Sequence, residues 1–108
     1  MQGGEILQGT VIDTEDGNKV AAVTWMSAAF LRANKGQSSF RSAPEICVEV
    51  RSPSNSADEL MEKKELYFKA GAQEVWIREA SGRMLFFDAN GPLDHSALCP
   101  SFPQEVAI

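Results

Sequence analysis

The stretch from residue 44 to residue 79 constrains this chain most, because it spells an apolar strand, a sharp break, a capped helix and a second apolar strand. The first strand is read over residues 45–51, Glu-Ile-Cys-Val-Glu-Val-Arg, and it ends in the turn Ser52-Pro53-Ser54-Asn55. Ser56-Ala57-Asp58-Glu59 matches a capping box, in which a serine hydroxyl and a glutamate three residues on satisfy the first free N–H groups of a helix. The helix is read over residues 56–70 and stops at Gly71, the residue type found just past helix ends. The second strand, residues 74–79, turns Val75 and Ile77 to one face and Trp76 to the other. Two strands joined through a helix suit a right-handed crossover between parallel neighbours. Such a unit needs a sheet with a helix laid across it.

The flanking sequence supplies more strands. Residues 5–13 and 19–25 are apolar runs separated by Asp16-Gly17-Asn18, a strong hairpin signal. Ser27 can cap a short helix over residues 28–33, anchored by Phe30 and Leu31. Residues 36–42 are polar and read as a mobile loop. A second hairpin joins residues 74–79 to residues 84–88 through Ser81-Gly82-Arg83. The tail, residues 90–108, reads as a wrapping segment pinned by Leu98, Phe102 and Val106. On the long helix, Ala57, Leu60, Met61, Tyr67 and Phe68 share one face at 100° per residue, with Lys64 in its middle and Lys63 on its edge. The fold class expected is α/β or α+β: one mixed sheet with a helix crossover.

Charge and composition narrow the function. At 108 residues the chain is the size of one domain, spanning residues 1–108, and it buries roughly two-thirds of its surface on folding. A net charge of −5 disfavours a DNA-coating protein, because phosphate contacts carry most non-specific affinity. DNA remains a partner only if a local basic patch guides the strand, and Arg51, Lys63, Lys64 and Lys69 are the candidates. No apolar run approaches the ~20 residues of a membrane span, and the N-terminus lacks a basic segment followed by an apolar one. The expected location is cytoplasmic, with no membrane partner. Cys47 and Cys99 have no metal-binding spacing, and Cys47 lies in an apolar run where a buried free thiol is expected.

The chemistry-bearing residues sit at the end of the first parallel strand. Alternation points Glu49 and Arg51 to one face and Val48 and Val50 to the other. A carboxylate and a cation together at a strand end can hold a divalent metal and steady a phosphate, which suggests phosphodiester chemistry. A plain surface ion pair explains the same two residues equally well.

Pro44-Glu45-Ile46-Cys47-Val48-Glu49-Val50-Arg51-Ser52-Pro53-Ser54, with Glu62-Lys63, Tyr67, Ala70-Gly71-Ala72 and Glu74-Val75-Trp76-Ile77 downstream, resembles the Uma-two family. That family comprises restriction-endonuclease-like proteins of the PD-(D/E)XK nuclease superfamily. The resemblance extends to Lys19–Trp25 and to the tail, and so covers most of the chain. It implies a restriction-endonuclease-like core. Glu49 then corresponds to a metal ligand for Mg²⁺, and Lys63, displaced from the strand onto the helix, to the lysine beside the scissile phosphate, with Arg51 assisting. The family's catalytic aspartate follows a proline in the strand that ends in tryptophan, whereas this chain has Ala21-Ala22 there. Ala22 cannot bind a metal.

Glu45 is no substitute, because four strand residues separate its α-carbon from that of Glu49 by about 13 Å. Asp13, Glu15 or Asp16 would serve only if the first hairpin folded over the strand end. The resemblance thus implies a degenerate or weakly active metal-dependent nuclease, or a non-catalytic binding or assembly module on the same fold. The family also carries a longer N-terminal region. Its absence here implies an uncovered sheet edge or apolar face and, with it, a homodimer.

Overall fold

The computed structural model describes residues 3–107. Six strands form one mixed sheet in the order β1 to β6, with two helices. β1 (Glu5–Thr14) and β2 (Gly17–Met26) are antiparallel, and Thr14 pairs with Gly17 across the turn. Gly17 takes φ +83°, which a glycine adopts without steric cost and which closes this turn. Helix α1 (Ala28–Ala33) starts where Ser27 Oγ accepts from the Phe30 N–H at 3.0 Å.

β3 (Ile46–Val50) runs antiparallel to β2 and parallel to β4 (Glu74–Arg78), and α2 (Ala57–Lys69) makes the crossover. The capping box forms as expected, with Ser56 Oγ accepting from the Glu59 N–H at 3.1 Å. β5 (Met84–Asp88) returns antiparallel to β4.

Three details differ from the pattern reading. The tail does more than wrap: Gly91–Leu93 forms β6, antiparallel to β5 at the sheet edge, where Pro92 costs no interior ladder bond. Ala57 is exposed, so the buried helix face narrows to Leu60 and Tyr67 with Phe68 packed beside them. The polar loop over residues 36–42 is pinned at its centre, where Phe40 exchanges backbone hydrogen bonds with Val11 and Asp13 and its ring meets Phe30 edge-on at 5.4 Å.

The sheet buries two separate clusters. On the α2 side, Tyr67 and Phe68 cover Ile12, Ala21, Cys47 and Val75. On the opposite side, Leu98, Phe102 and Val106 of the tail cover Ile46, Trp76, Met84 and Phe86, as expected of pins. β3 serves both faces by alternation, sending Cys47 and Glu49 toward α2 and Ile46 and Val48 toward the tail.

Candidate active site

Glu49 lies near the carboxyl end of β3, where the crossover helix passes over the sheet. Its side chain is 5% exposed, yet both oxygens are engaged. Lys63 Nζ donates to Oε1 at 3.1 Å, and the Tyr67 hydroxyl donates to Oε2 at 2.9 Å. Lys63 and Tyr67 reach the same carboxylate because residues four apart stack on one helix face. Lys63 Nζ also donates to the Val20 carbonyl at 3.0 Å. That carbonyl is accessible because the β2–β3 ladder ends at Val23↔Val48, one residue short of Glu49.

Two neighbours of Glu49, Tyr67 and Cys47, are held neutral. Burial, then the charge of Glu49, pushes the Tyr67 phenol far above its ordinary value, so it stays a hydrogen-bond donor. Burial first and Glu49 second push the Cys47 thiol up as well, with Glu45 contributing least. A thiol kept protonated in this way is no nucleophile.

The other candidates lie elsewhere. Arg51 follows the end of β3 and pairs with Glu79 at 3.3 Å rather than turning to Glu49. The parallel register Val50↔Arg78 brings the residues after each strand side by side, which sets Arg51 against Glu79. Lys64 pairs with Glu65 at 3.1 Å and lies 4.8 Å above the Phe87 ring. Of the hairpin acids, Asp13 accepts from Ser39, Glu15 pairs with Lys69, and Asp16 pairs with Lys19. Glu45 accepts from the Ser27 N–H. Ala21, fully buried, packs with Cys47 and Tyr67, whereas Ala22 is half-buried.

These contacts decide how well a divalent ion fits. Mg²⁺ seeks about six oxygens in near-octahedral array. Here one carboxylate and one main-chain carbonyl converge, with an ammonium between them. Among the described residues no group of three or more His, Cys, Asp or Glu side chains could hold a metal. With Lys63 in place, the donor set does not fit the ion.

A second buried acid escaped the sequence reading. Glu74, 2% exposed, opens β4 and accepts four hydrogen bonds. They come from Trp76 Nε1 at 2.8 Å, Ser96 Oγ at 2.6 Å, and the Ala97 and Leu98 N–H groups at 2.9 Å each. The available signal was Glu74-x-Trp76 on one strand face, since a buried indole N–H needs an acceptor.

The family comparison agrees with this architecture. A family model described as "Uma2: Putative restriction endonuclease" matches residues 5–98. The chain belongs to the Uma2 family. A solved structure from Anabaena variabilis ATCC 29413, described as a "putative nuclease belonging to DUF820", superposes with a TM-score of 0.70 at 14% identity. The match covers 96% of the Uma2 chain but 54% of that neighbour, so the likeness concerns the fold. No curated protein matches the sequence. The expected restriction-endonuclease-like core is thus the observed one.

Proposed function

We propose that this Uma2 chain is a nuclease-type protein of the PD-(D/E)XK kind with much-reduced hydrolytic power. The observation that carries the reading is a single buried carboxylate, Glu49, set with Lys63 and Tyr67 beside the parallel crossover of a nuclease-family fold. In this reading Glu49 meets Mg²⁺ only when the Lys63 ammonium swings aside, so the ion is held weakly. Lys63 supplies the cation nearest a scissile phosphate, and Tyr67 holds the Glu49 carboxylate in one orientation. Arg51 stands apart, in a cleft of about 590 Å³ shared with Ser52, Asn55 and Arg83, where it can meet a neighbouring phosphate. The net charge of −5 keeps DNA affinity low.

Nicking of supercoiled plasmid tests this reading. The expected result is slow nicking that requires Mg²⁺ or Mn²⁺ and disappears in Glu49→Gln. Nicking unchanged by Glu49→Gln would remove Glu49 from the centre. No nicking at any metal concentration would favour the second reading, a non-catalytic binding or assembly module. That reading draws support from the full engagement of both Glu49 oxygens by protein donors.

A homodimer and a cytoplasmic location belong to the same proposal. Ile6 is 68% exposed and Val50 41%, and both border an apolar groove of about 240 Å³ lined by Val23, Trp25 and Val48. β1 is an edge strand of the sheet, the kind of surface that pairs with another chain. Light scattering should give about twice 11.8 kDa, and a concentration-independent mass of 11.8 kDa would refute the dimer. Free thiols at Cys47 and Cys99 suit a reducing compartment. Among the described residues no helix is long and apolar enough to cross a membrane.

A further inference from the structure

Burying a carboxylate as deeply as that of Glu49 is costly unless a cation or strong donors meet it. Here a side chain does so. Lys63 Nζ lies 3.1 Å from Glu49 Oε1 and 3.0 Å from the Val20 carbonyl oxygen. A carboxylate oxygen and a main-chain carbonyl oxygen are donors of the type that hard divalent cations take. Glu49 lies one residue and Val20 three residues past the last rung of the β2–β3 ladder, Val23↔Val48, so the ammonium enters where the two strands no longer pair. The aliphatic stem of Lys63 descends from α2, and its side chain is 26% exposed, so the ammonium has solvent within reach but is turned inward. A lysine merely covering apolar surface would point its charge outward.

We propose that Lys63 is the resident counter-ion of Glu49 and occupies the place a divalent cation would need. The native chain then holds such cations poorly, and neutralising residue 63 opens a cation site. The inference deepens the reading of Glu49 as the centre of a weak nuclease, and it rests on that assignment of Glu49 but not on any hydrolysis. It also gives the proposed weakness a cause beyond the alanines of β2. Two cations cannot share the one opening, and their repulsion is strong wherever water screens it poorly.

Mn²⁺ titration by calorimetry and by water-proton relaxation tests the inference on the native chain, Lys63→Met, Lys63→Arg and Lys63→Met combined with Glu49→Gln. Lys63→Met keeps the aliphatic stem and should bind Mn²⁺ at least about tenfold tighter than the native chain, the scale expected on removing a cation a few ångströms away. Adding Glu49→Gln should erase that gain, and Lys63→Arg should bind Mn²⁺ as poorly as the native chain does. Three results would overturn the inference: equal affinity in native and Lys63→Met, a gain that survives Glu49→Gln, or Lys63→Arg binding as tightly as Lys63→Met. Should Lys63→Met fail to fold, the native chain still decides: tight Mn²⁺ binding that is lost in Glu49→Gln refutes the inference, and weak or undetectable binding supports it. Failure of plasmid nicking leaves every one of these readings intact, so the two proposals fail separately.

Discussion

Glu49 and Glu74 sit on adjacent parallel strands, both buried, and the sheet turns them to opposite faces. Glu74 is met by an indole N–H, a hydroxyl and two backbone N–H groups, all fixed and neutral. Glu49 is met by one phenol and one ammonium at the end of a flexible stem. The first arrangement clamps the tail to the sheet and leaves no donor free to move. In the second, the main partner can withdraw toward solvent and expose a charge. Burial alone therefore does not distinguish these two acids; the kind of partner does.

Breaking Glu74 should have the largest effect. Glu74→Ala strands four donors and loosens the segment from Ser96 to Leu98. We expect a loss of about 3–5 kcal/mol in chemical denaturation, the scale for removing one member of a buried charged network. A loss under about 1 kcal/mol would show that the tail does not depend on this clamp.

The two halves of the Glu49 pair should behave unequally. Lys63→Met leaves a buried carboxylate with Tyr67 as its only side-chain partner, and about 2–3 kcal/mol should be lost. Glu49→Gln leaves a lysine that can straighten into water, at about 1–2 kcal/mol. Equal losses, measured by urea unfolding, would mean that Lys63 is as trapped as Glu49.

These differences explain what the sequence could reveal. The crossover was legible because its signals are local: the capping box, the Gly71 stop and the alternation of Val75, Trp76 and Ile77 all act within a few residues. Strand alternation singled out Glu49 and a family resemblance added Lys63, but their contact depends on β2 and β3 parting after Val23↔Val48, which no local pattern encodes. Alternation put Arg51 on the Glu49 face, and that reading stopped holding where the strand ended at Val50 and the β4 register offered Glu79 instead. Glu74 stayed hidden because three of its donors come from residues 96–98, over twenty positions away. The sixth strand was hidden by Pro92, which an edge tolerates and a central strand would not.

Alkaline pH should separate the two faces by a smaller margin. Cys47 and Tyr67, both on the Glu49 side, have folded-state pKa values raised by burial and then by Glu49. A raised value means the native state keeps a proton that the unfolded chain releases. The associated stability is complete below the ordinary thiol value of 9.0 and is lost as pH climbs past it, with the phenol adding its share above 10.0. One unit above the thiol value, Cys47 alone should account for about 1 kcal/mol. Cys47→Ala should therefore flatten the fall between pH 9 and 10 in unfolding curves. An unchanged slope would mean that the thiol opens to solvent before the fold does.

The smallest expected effect concerns the acid that Glu49 lacks. The β2–β3 ladder ends one rung short of pairing Ala22 with Glu49; Ala22 is half-buried, while Ala21 packs in the core with Cys47 and Tyr67. Ala22→Asp should thus be tolerated, whereas Ala21→Asp buries an unpaired charge and should unfold readily. In the native background the new carboxylate meets the Lys63 ammonium first, so its gain in Mn²⁺ affinity should be modest, about two- to threefold, because attraction to a second carboxylate is offset by the resident cation. Combined with Lys63→Met the gain should grow severalfold, and Glu49→Gln should cancel it in either background. Calorimetry across these variants reads the coupling directly. Should Ala22→Asp add nothing even when Lys63 is replaced, an acid that completes this centre does not belong at position 22, and the alignment of Ala22 with the family's aspartate would have to be redrawn.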